Sequence, residues 1–297
     1  FGSRTLGAAA MVEQAFGCPL WGPDGAEVEV DGAVFGIHNA KALGVSLHVG
    51  LGLEPVTVKQ CVDDEALDTA RFVWRSSVTF CRLLASGGLD PDPGGTPLRA
   101  VELGTGTGAC AAALARRLAG RCEVLATDLP AALPVVAETV RCNSLDGAVK
   151  TASLDWLEAG AEGVHKADGS LTPWTQLVEA DLVFGADVTY SDELCPSLFA
   201  VLLHACGSGA VGLLVHQHRG GRDDLLPQLA LGLAGSRVIW AELPVPKAAS
   251  GEEEEAMEED ISIYLLAVPH NPKLAEGGRL AGLGRFAVQS ARRRASG

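Results

Sequence analysis

The sequence predicts an α/β protein built on a doubly wound, mostly parallel sheet. Apolar runs of strand length alternate with helical periods between residues 98 and 216. A glycine-rich turn joins the first of these strands to the first helix, and no helical period separates the last two strand-like runs. Alternation of this kind requires crossover connections, which place helices on both faces of a sheet. The final two runs are therefore expected to form an antiparallel hairpin at the sheet edge.

The first 69 residues are expected to form a β-rich segment packed on the main domain. Strand-like runs at 27–34, 45–51 and 56–62 are separated by glycine and proline. From Asp64 the pattern becomes helical through Leu84, until glycines and prolines interrupt it. The predicted domains are residues 1–69, a main domain over 70–271, and a partly flexible C-terminal tail over 272–297.

The main domain is predicted element by element. Strands are expected at 98–103, 123–127, 181–185 and 210–216, and helices at 110–118, 131–143 and 196–205. The edge hairpin is expected at 237–243 and 261–268, around an acidic loop that like-charge repulsion keeps solvated. Residues 194–215 lack charge, but Pro196, His204 and the Gly207–Gly209 break predict a helix, a turn and a strand rather than a membrane span.

The composition excludes several classes of protein. The chain has 297 residues, of which 47% are hydrophobic and 20% charged, as in a folded domain with a core. A net charge of −14 argues against a nucleic-acid surface, which needs clustered Lys and Arg. Eight cysteines without a Cys-x-x-Cys pair fit reduced thiols in an intracellular protein. His216 and His218 alternate on one strand face, but two ligands seldom make a site, so no metal is predicted.

The glycine-rich turn carries the strongest chemical signal. It runs from Gly104 to Gly108 between a strand and a helix, so that backbone N–H groups can approach a ligand closely. Asp128 ends the next strand, where a carboxylate can accept two hydrogen bonds from a ribose diol. The glycine spacing departs from the dinucleotide pattern, and the acidic Glu102 suits a cationic amino-acid moiety better than a pyrophosphate. The turn therefore favours S-adenosylmethionine over a nicotinamide dinucleotide.

Six segments occur in the order seen in the family 16 methyltransferases. They are Phe72-Val-Trp74, residues 101–108, Thr127-Asp-Leu-Pro130, residues 133–143, Leu154-Asp-Trp156 and residues 181–190. Over about residues 70 to 270 the chain resembles this family, which includes the methyltransferase-like 21 type of protein-lysine methyltransferase. The resemblance implies a Rossmann-like class I methyltransferase fold with a seven-stranded sheet. The sequence departs from the family at Thr139 and at 216–219, which puts substrate identity by analogy in doubt.

The resemblance also implies a site. Trp74 would close over the cofactor, the glycine loop with Glu102 would hold its methionine end, and Ala186 would line the floor. The implied cofactor-binding residues are Trp74, Glu102, Gly104, Thr105, Gly106, Gly108, Asp128, Asp155, Trp156 and Ala186. Asp187 and Tyr190 match the family's Asp-x-x-Tyr signature and are the implied catalytic residues. From residue type alone, the two tryptophans fit core packing equally well, and the Asp–Tyr pair fits a cap and a packed ring.

The function expected from these observations is S-adenosylmethionine-dependent methylation of a lysine side chain in an intracellular protein, with S-adenosylhomocysteine as product. Direct in-line transfer requires orientation rather than a covalent intermediate. The alternatives are a histidine or small-molecule N-methyltransferase and a non-catalytic cofactor-binding protein. We expect a protein substrate, no nucleic-acid or membrane partner, a monomer and a cytoplasmic location. The nucleus and organelles stay open because the sequence begins with Phe1.

Overall fold

The structure is a computed structural model that describes residues 20–21, 44–50, 52–61, 69–90, 96–161, 177–218, 232–246 and 261–296. The strand expected at 27–34 and the acidic loop expected at 252–260 lie outside these ranges. The seven cysteines in the described residues are all free thiols. None of the described helices has the length and hydropathy needed to cross a membrane.

A small antiparallel sheet precedes the main domain. It contains β1 (Leu20–Trp21), β2 (Gly44–Leu47) and β3 (Val56–Lys59) in that spatial order. Its apolar side chains join the larger core, because Val45, Leu47, Val56 and Val58 are buried there. The chain then forms α1 (Arg75–Ala85), which begins later than the sequence predicts because residues 69–74 instead lie beside the end of β3.

The main sheet has seven strands, which confirms the predicted fold class. They are β4 (Leu98–Leu103), β5 (Cys122–Asp128), β6 (Val149–Ser153), β7 (Leu182–Ala186), β8 (Val211–Gln217), β9 (Ile239–Leu243) and β10 (Ile261–Ala267). The spatial order is β6-β5-β4-β7-β8-β10-β9. β10 runs antiparallel to β8 and β9, whereas the pairs from β6 to β8 are parallel. The chain reverses its direction of winding between β4 and β7, and ligands bind at such switch points.

Helices cover both faces of this sheet. They include α2 (Ala109–Arg117), α3 (Leu133–Cys142), α4 (Trp156–Ala161) and α5 (Cys195–Gly207). On one face, α1 packs against the sheet through the stacked rings of Phe80 and Phe184, whose centroids are 5.0 Å apart. The small buried side chains of α2 allow that helix to approach closely. On the other face, α5 buries Leu198, Phe199 and Leu202.

The sequence prediction misses one long element, the helix α6 (Ala281–Ser296), which lies within the predicted flexible tail. Two glycines in its first turn lower its helix propensity and obscure the pattern. Leu280 and Leu283 are nevertheless fully buried. A Cβ atom at Gly282 would lie 2.9 Å from the Asp90 carbonyl oxygen, so the glycine permits close backbone packing there. Tertiary contacts therefore stabilise a helix that local propensity does not predict.

Candidate active site

A cavity of about 370 Å³ opens at the carboxyl ends of β4, β5 and β7. Its volume falls in the range of about 300–1,000 Å³ that is typical of small-molecule sites. It brings together eleven of the twelve residues that the sequence singles out: Trp74, Glu102, Gly104, Thr105, Gly106, Asp128, Asp155, Trp156, Ala186, Asp187 and Tyr190. Gly108 does not line the cavity. It takes a left-handed conformation with φ 80° and leads the chain into α2.

The glycine loop needs glycine for conformational and steric reasons. Gly104 and Gly106 have φ values of 63° and 54°, in the left-handed region. A Cβ atom at Gly104 would lie 2.7 Å from Val188 Cγ1 and 3.1 Å from Trp156 Cζ2. The loop backbone therefore lies directly against the side chains that form the rest of the cavity. The loop backbone, Val188 and Trp156 thus enclose a cradle that a side chain at Gly104 would fill.

Glu102 is a buried carboxyl at the base of the loop. Its Oε2 accepts hydrogen bonds from Thr105 Oγ1 at 2.5 Å and from the Ala111 N–H at 3.0 Å. Burial raises the pKa of Glu102 to about 8, although these two hydrogen bonds oppose the shift. A cation placed in the cavity would stabilise the ionised form. Glu102 therefore holds the loop through its hydrogen bonds, and its carboxyl can ionise when a cation lies beside it.

Asp128 binds the opposite side of the loop. Its Oδ2 accepts the Gly106 N–H at 2.7 Å, and its Oδ1 accepts the Leu129 N–H at 2.8 Å. Burial raises the pKa of this carboxyl, and the two backbone hydrogen bonds oppose the rise. Each carboxylate oxygen has two acceptor positions, so both can still accept a hydroxyl group. The arrangement suits a diol.

Two tryptophans enclose the cavity. Trp74 Nε1 donates to the Thr69 carbonyl oxygen at 3.0 Å, and the neighbouring Val73 N–H donates to Gln60 Oε1 at 2.7 Å. The small N-terminal sheet thus holds the segment that carries Trp74. Trp156 lies against Gly104, and within the described residues its Nε1 is buried without a hydrogen-bond partner. Both tryptophans line the cavity, so they do more than pack in the core, which is the alternative that their residue type allows.

Asp155 has a local structural role as well. Its Oδ1 accepts the Leu157 N–H at 2.9 Å, as a capping residue does at the start of a helix such as α4. Its side chain still lines the cavity. A cap and a ligand contact are therefore compatible at this position.

Asp187 and Tyr190 follow β7 on the other side of the cavity. Asp187 is buried and has a φ of 60°, an uncommon value for a residue with a side chain. Its N–H donates to the Val215 carbonyl oxygen at 2.8 Å. Tyr190 is 39% exposed, so its ring forms part of the rim rather than of the core. Asp187 therefore lines the buried part of the cavity, and Tyr190 lies at its mouth.

The residues present fit S-adenosylmethionine. The glycine cradle, the acceptor positions of Asp128 and the unpartnered Trp156 Nε1 suit a nucleoside, and Glu102 suits a cationic amino-acid end. Among the described residues that line the cavity there is no lysine or arginine, which would be expected around a pyrophosphate. The donor set therefore matches the cofactor that the sequence favours.

Ten cavity residues were not singled out from the sequence: Thr69, Ala70, Phe72, Ser77, Thr107, Leu129, Leu154, Leu157, Val188 and Leu194. Five of them, Phe72, Thr107, Leu129, Leu154 and Val188, lie inside the six segments that carry the family resemblance, so those segments held the signal. Leu194 carries no local signal, because only the turn before α5 brings it to the cavity. Among the described residues, no group of three His, Cys, Asp or Glu side chains could hold a metal ion.

The fold is that of the class I methyltransferases. The chain belongs to the lysine methyltransferase family, whose model matches residues 56–226, and this confirms the resemblance found in the sequence. It is 30% identical over 168 residues to protein N-lysine methyltransferase METTL21A of Danio rerio, covering 54% of this chain and 67% of that protein. It is 31% identical over 142 residues to EEF1A lysine methyltransferase 3 of Mus musculus, covering 48% of this chain and 53% of that protein.

The chain thus spans between about half and two thirds of the length of these relatives. Among solved structures, a SAM-dependent methyltransferase from Aquifex aeolicus aligns with a TM-score of 0.43 at 13% identity. The alignment covers 62% of this chain and 86% of that one. A likeness at this level carries no argument about substrate or mechanism.

Proposed function

We propose that this chain binds S-adenosylmethionine and methylates the amino group of a lysine side chain in an intracellular protein. The observation that carries the proposal is that the glycine loop, Asp128 and the Asp187–Tyr190 segment line one cavity. Membership of the lysine methyltransferase family supports a lysine acceptor, and the names of both relatives specify lysine. When bound, S-adenosylmethionine supplies a methyl group attached to a sulfonium.

In this proposal the glycine loop, Glu102, Asp128 and Trp156 hold the cofactor, and Trp74 encloses it. Transfer would form a bond between the acceptor nitrogen and the methyl carbon and break the bond between that carbon and sulfur, so that S-adenosylhomocysteine leaves as a neutral thioether and the nitrogen loses a proton. Most of the protein's contribution is then orientation, because the acceptor nitrogen must approach in line. The closely packed backbone at Gly104 and the two tryptophan rings that line the cavity provide a frame for this geometry.

A lysine amine has a free pKa of ~10.4, so only a small fraction is neutral near pH 7 unless the site desolvates it. The side chains of Val188 and Leu194 and the ring of Tyr190 provide such surroundings. Together with Asp187 they form the acceptor side of the cavity. An ionised carboxylate beside the amine would instead favour the charged form. We therefore assign Asp187 the task of positioning the amine and receiving its proton through water. Tyr190 lines the entry and offers its ring face to the cation.

The first test is calorimetry of the purified protein with S-adenosylmethionine, S-adenosylhomocysteine and NAD in parallel. We expect the first two to bind and NAD not to bind. The protein is then incubated with methyl-labelled S-adenosylmethionine and either EEF1A, which one relative's name specifies, or a protein extract. Mass spectrometry of the labelled product should place the label on lysine. Binding of NAD alone would overturn the proposal, and label on histidine or on a small molecule would overturn the lysine assignment.

We further propose that the enzyme acts as a monomer in the cytoplasm, without a nucleic-acid or membrane partner. The free thiols and the net charge of −14 support this setting. Light scattering after size-exclusion chromatography and imaging of the tagged protein test the two statements. A stable dimer or an organellar location would contradict them.

A further inference from the structure

A buried histidine lies behind the acceptor side of the cavity without lining it. His216 is 4% exposed and occupies β8, next to β7 in the sheet. A hydrogen bond of 2.6 Å joins its Nδ1 to Thr189 Oγ1, across 27 positions of the chain. Thr189 lies between Asp187 and Tyr190, and it too is buried. One side chain of β8 is thus tied directly to the segment proposed to orient the acceptor.

The segment that Thr189 belongs to needs external support. Asp187 has a left-handed backbone conformation with φ 60°, which persists in residues other than glycine when the surroundings enforce it. β8 supports this segment through two hydrogen bonds. One is the backbone hydrogen bond from the Asp187 N–H to the Val215 carbonyl oxygen, and the other is the bond between His216 and Thr189. They lie on either side of Val188, whose side chain packs against Gly104 and Gly185.

The histidine is itself held in place by the edge hairpin. The rings of His216 and His218 meet edge to face with their centroids 4.8 Å apart. His218 Nε2 is joined to Ser262 Oγ at 2.9 Å, and Ser262 Oγ donates to Glu242 Oε1 at 2.9 Å. Side-chain contacts, a ring contact among them, therefore continue from the acceptor segment through β8 to β10 and β9. A ring fixed from behind in this way can position a hydroxyl more firmly than a free side chain can.

We infer that His216 is a positioning residue for methyl transfer. Its hydrogen bond to Thr189 holds residues 187–190 so that Asp187 and Tyr190 meet the acceptor. The inference rests on the proposed function for its effect on turnover, whereas the tether itself is a property of the protein alone. A misplacement of about 1 Å in an oriented reaction costs on the order of 100-fold in rate. The tether should therefore affect turnover far more than it affects cofactor affinity.

The test compares Thr189→Val and His216→Phe, the double variant, and the conservative Thr189→Ser. Exposed residues outside the cavity provide matched controls, Thr151→Val on β6 and His204→Phe on α5. Turnover is measured with methyl-labelled S-adenosylmethionine and the polypeptide found by the labelling screen. Calorimetry gives the affinity for S-adenosylhomocysteine. Native-state hydrogen exchange of the peptide containing residues 187–190 gives a readout that needs no activity.

We expect each single variant to lose about 10- to 100-fold in turnover while the affinity for S-adenosylhomocysteine stays within about twofold. The double variant should be no slower than the slower single variant, because both break one contact. Thr189→Ser should recover most of the loss, since it keeps the hydroxyl. Exchange at 187–190 should rise about 10-fold in Thr189→Val and not in the controls.

Unchanged exchange at 187–190 would overturn the inference whatever the activity shows. Losses that multiply in the double variant would also overturn it, because the two residues would then act separately. A parallel loss of cofactor affinity would assign His216 a general structural role instead. If the unsubstituted protein binds the cofactor but methylates no polypeptide, the proposed function fails, and the exchange measurement alone decides whether the tether exists.

Discussion

The two sides of the cavity are built from contacts of different range. On the cofactor side, Glu102 and Thr105 are three positions apart, and the Gly106 N–H reaches Asp128 across 22 positions. On the acceptor side, Thr189 is tied to a histidine 27 positions away, and the next contact spans 44 positions from His218 to Ser262. The cofactor side is a local motif on two adjacent strands. The acceptor side also uses two neighbouring strands, β7 and β8, but its contacts continue to β10 and β9 at the sheet edge.

This difference has a functional meaning. Enzymes that share a cofactor can bind it with one local motif, because the ligand is the same in each of them. Their acceptors differ, so the acceptor side has to be adjusted through strands that the motif does not include. Substitutions on the two sides should therefore separate cofactor affinity from turnover.

The largest effect is expected from Gly104→Ala. The new Cβ atom would lie 2.7 Å from Val188 Cγ1 at a residue with φ 63°, so the loop would have to move. Calorimetry should show the Kd for S-adenosylmethionine raised more than about 100-fold, which corresponds to about 2.7 kcal/mol. Gly147→Ala is the matched control, because a Cβ atom there meets nothing within 4 Å. Normal affinity in Gly104→Ala would mean that the loop does not contact the cofactor.

The second prediction contrasts two conservative substitutions. Because an amide has only one oxygen, Asp128→Asn leaves either the Gly106 N–H or the Leu129 N–H without its acceptor. It also removes the negative charge at the position proposed to bind the diol. It should raise the Kd for S-adenosylmethionine by about 10- to 100-fold, since hydrogen bonds to charged groups contribute about 1.5–3 kcal/mol. Asp187→Asn should leave that Kd within about twofold and lower turnover by about 10- to 100-fold. If Asp187→Asn changed neither quantity, its assignment would be wrong.

The sequence predicts most of the fold wherever an element is buried and apolar. β4 has the predicted bounds, and β5, β7, β8, β9 and β10 differ from prediction by one or two residues at their ends. The apolar and helical periods of the sequence do not predict β6 or α4. β6 is largely exposed at the sheet edge and has no apolar run, and α4 is a helix of six residues that contains a glycine. Their formation depends on contacts made after the sheet has assembled.

The candidate site follows the same rule. Residues such as Gly104, Asp128 and Asp187 can be identified because they sit at strand ends with a recognisable spacing. In the sequence, His216 belongs to a weak metal pattern and to the departure from the family at 216–219, but nothing local links it to Thr189. Only the β7–β8 pairing brings the two side chains together. Long-range contacts of this kind are what the sequence pattern leaves out.

A smaller effect concerns pH on the cofactor side. Burial raises the pKa of Glu102 to about 8, so the free protein carries it largely protonated at pH 6.5. A cationic amino-acid end favours the ionised form, so binding releases a proton and the affinity rises with pH. We expect about a fivefold rise between pH 6.5 and 8, limited above that by loss of the ligand's own ammonium charge. Calorimetry over this range measures it.

The matched variants for this pH dependence are Glu102→Gln and Glu123→Gln, the second being exposed on β5. Only the first should flatten the profile. The same pKa shift has a consequence for the free protein, because a raised folded-state pKa means that the folded form holds the proton more tightly. Stability should therefore fall as pH rises from about 4.5 toward 8, and Glu102→Gln should weaken that fall in thermal unfolding. If the affinity of the unsubstituted protein for S-adenosylmethionine did not change with pH, that result would argue against a cationic ligand group near Glu102.

The smallest effect should come from the border of the cofactor side, where the small N-terminal sheet meets the segment that carries Trp74. Gln60→Leu leaves the buried Val73 N–H without its 2.7 Å acceptor, which costs about 1–3 kcal/mol of stability. The Kd for S-adenosylmethionine should rise about threefold, because Trp74 follows directly in the chain.

Asn271→Leu is the control, since this buried side chain binds the Gly209 carbonyl oxygen at the opposite end of the sheet. It should lower the melting temperature comparably and leave the Kd unchanged. Equal Kd values in the two variants would show that the N-terminal sheet stabilises the fold without shaping the cofactor side.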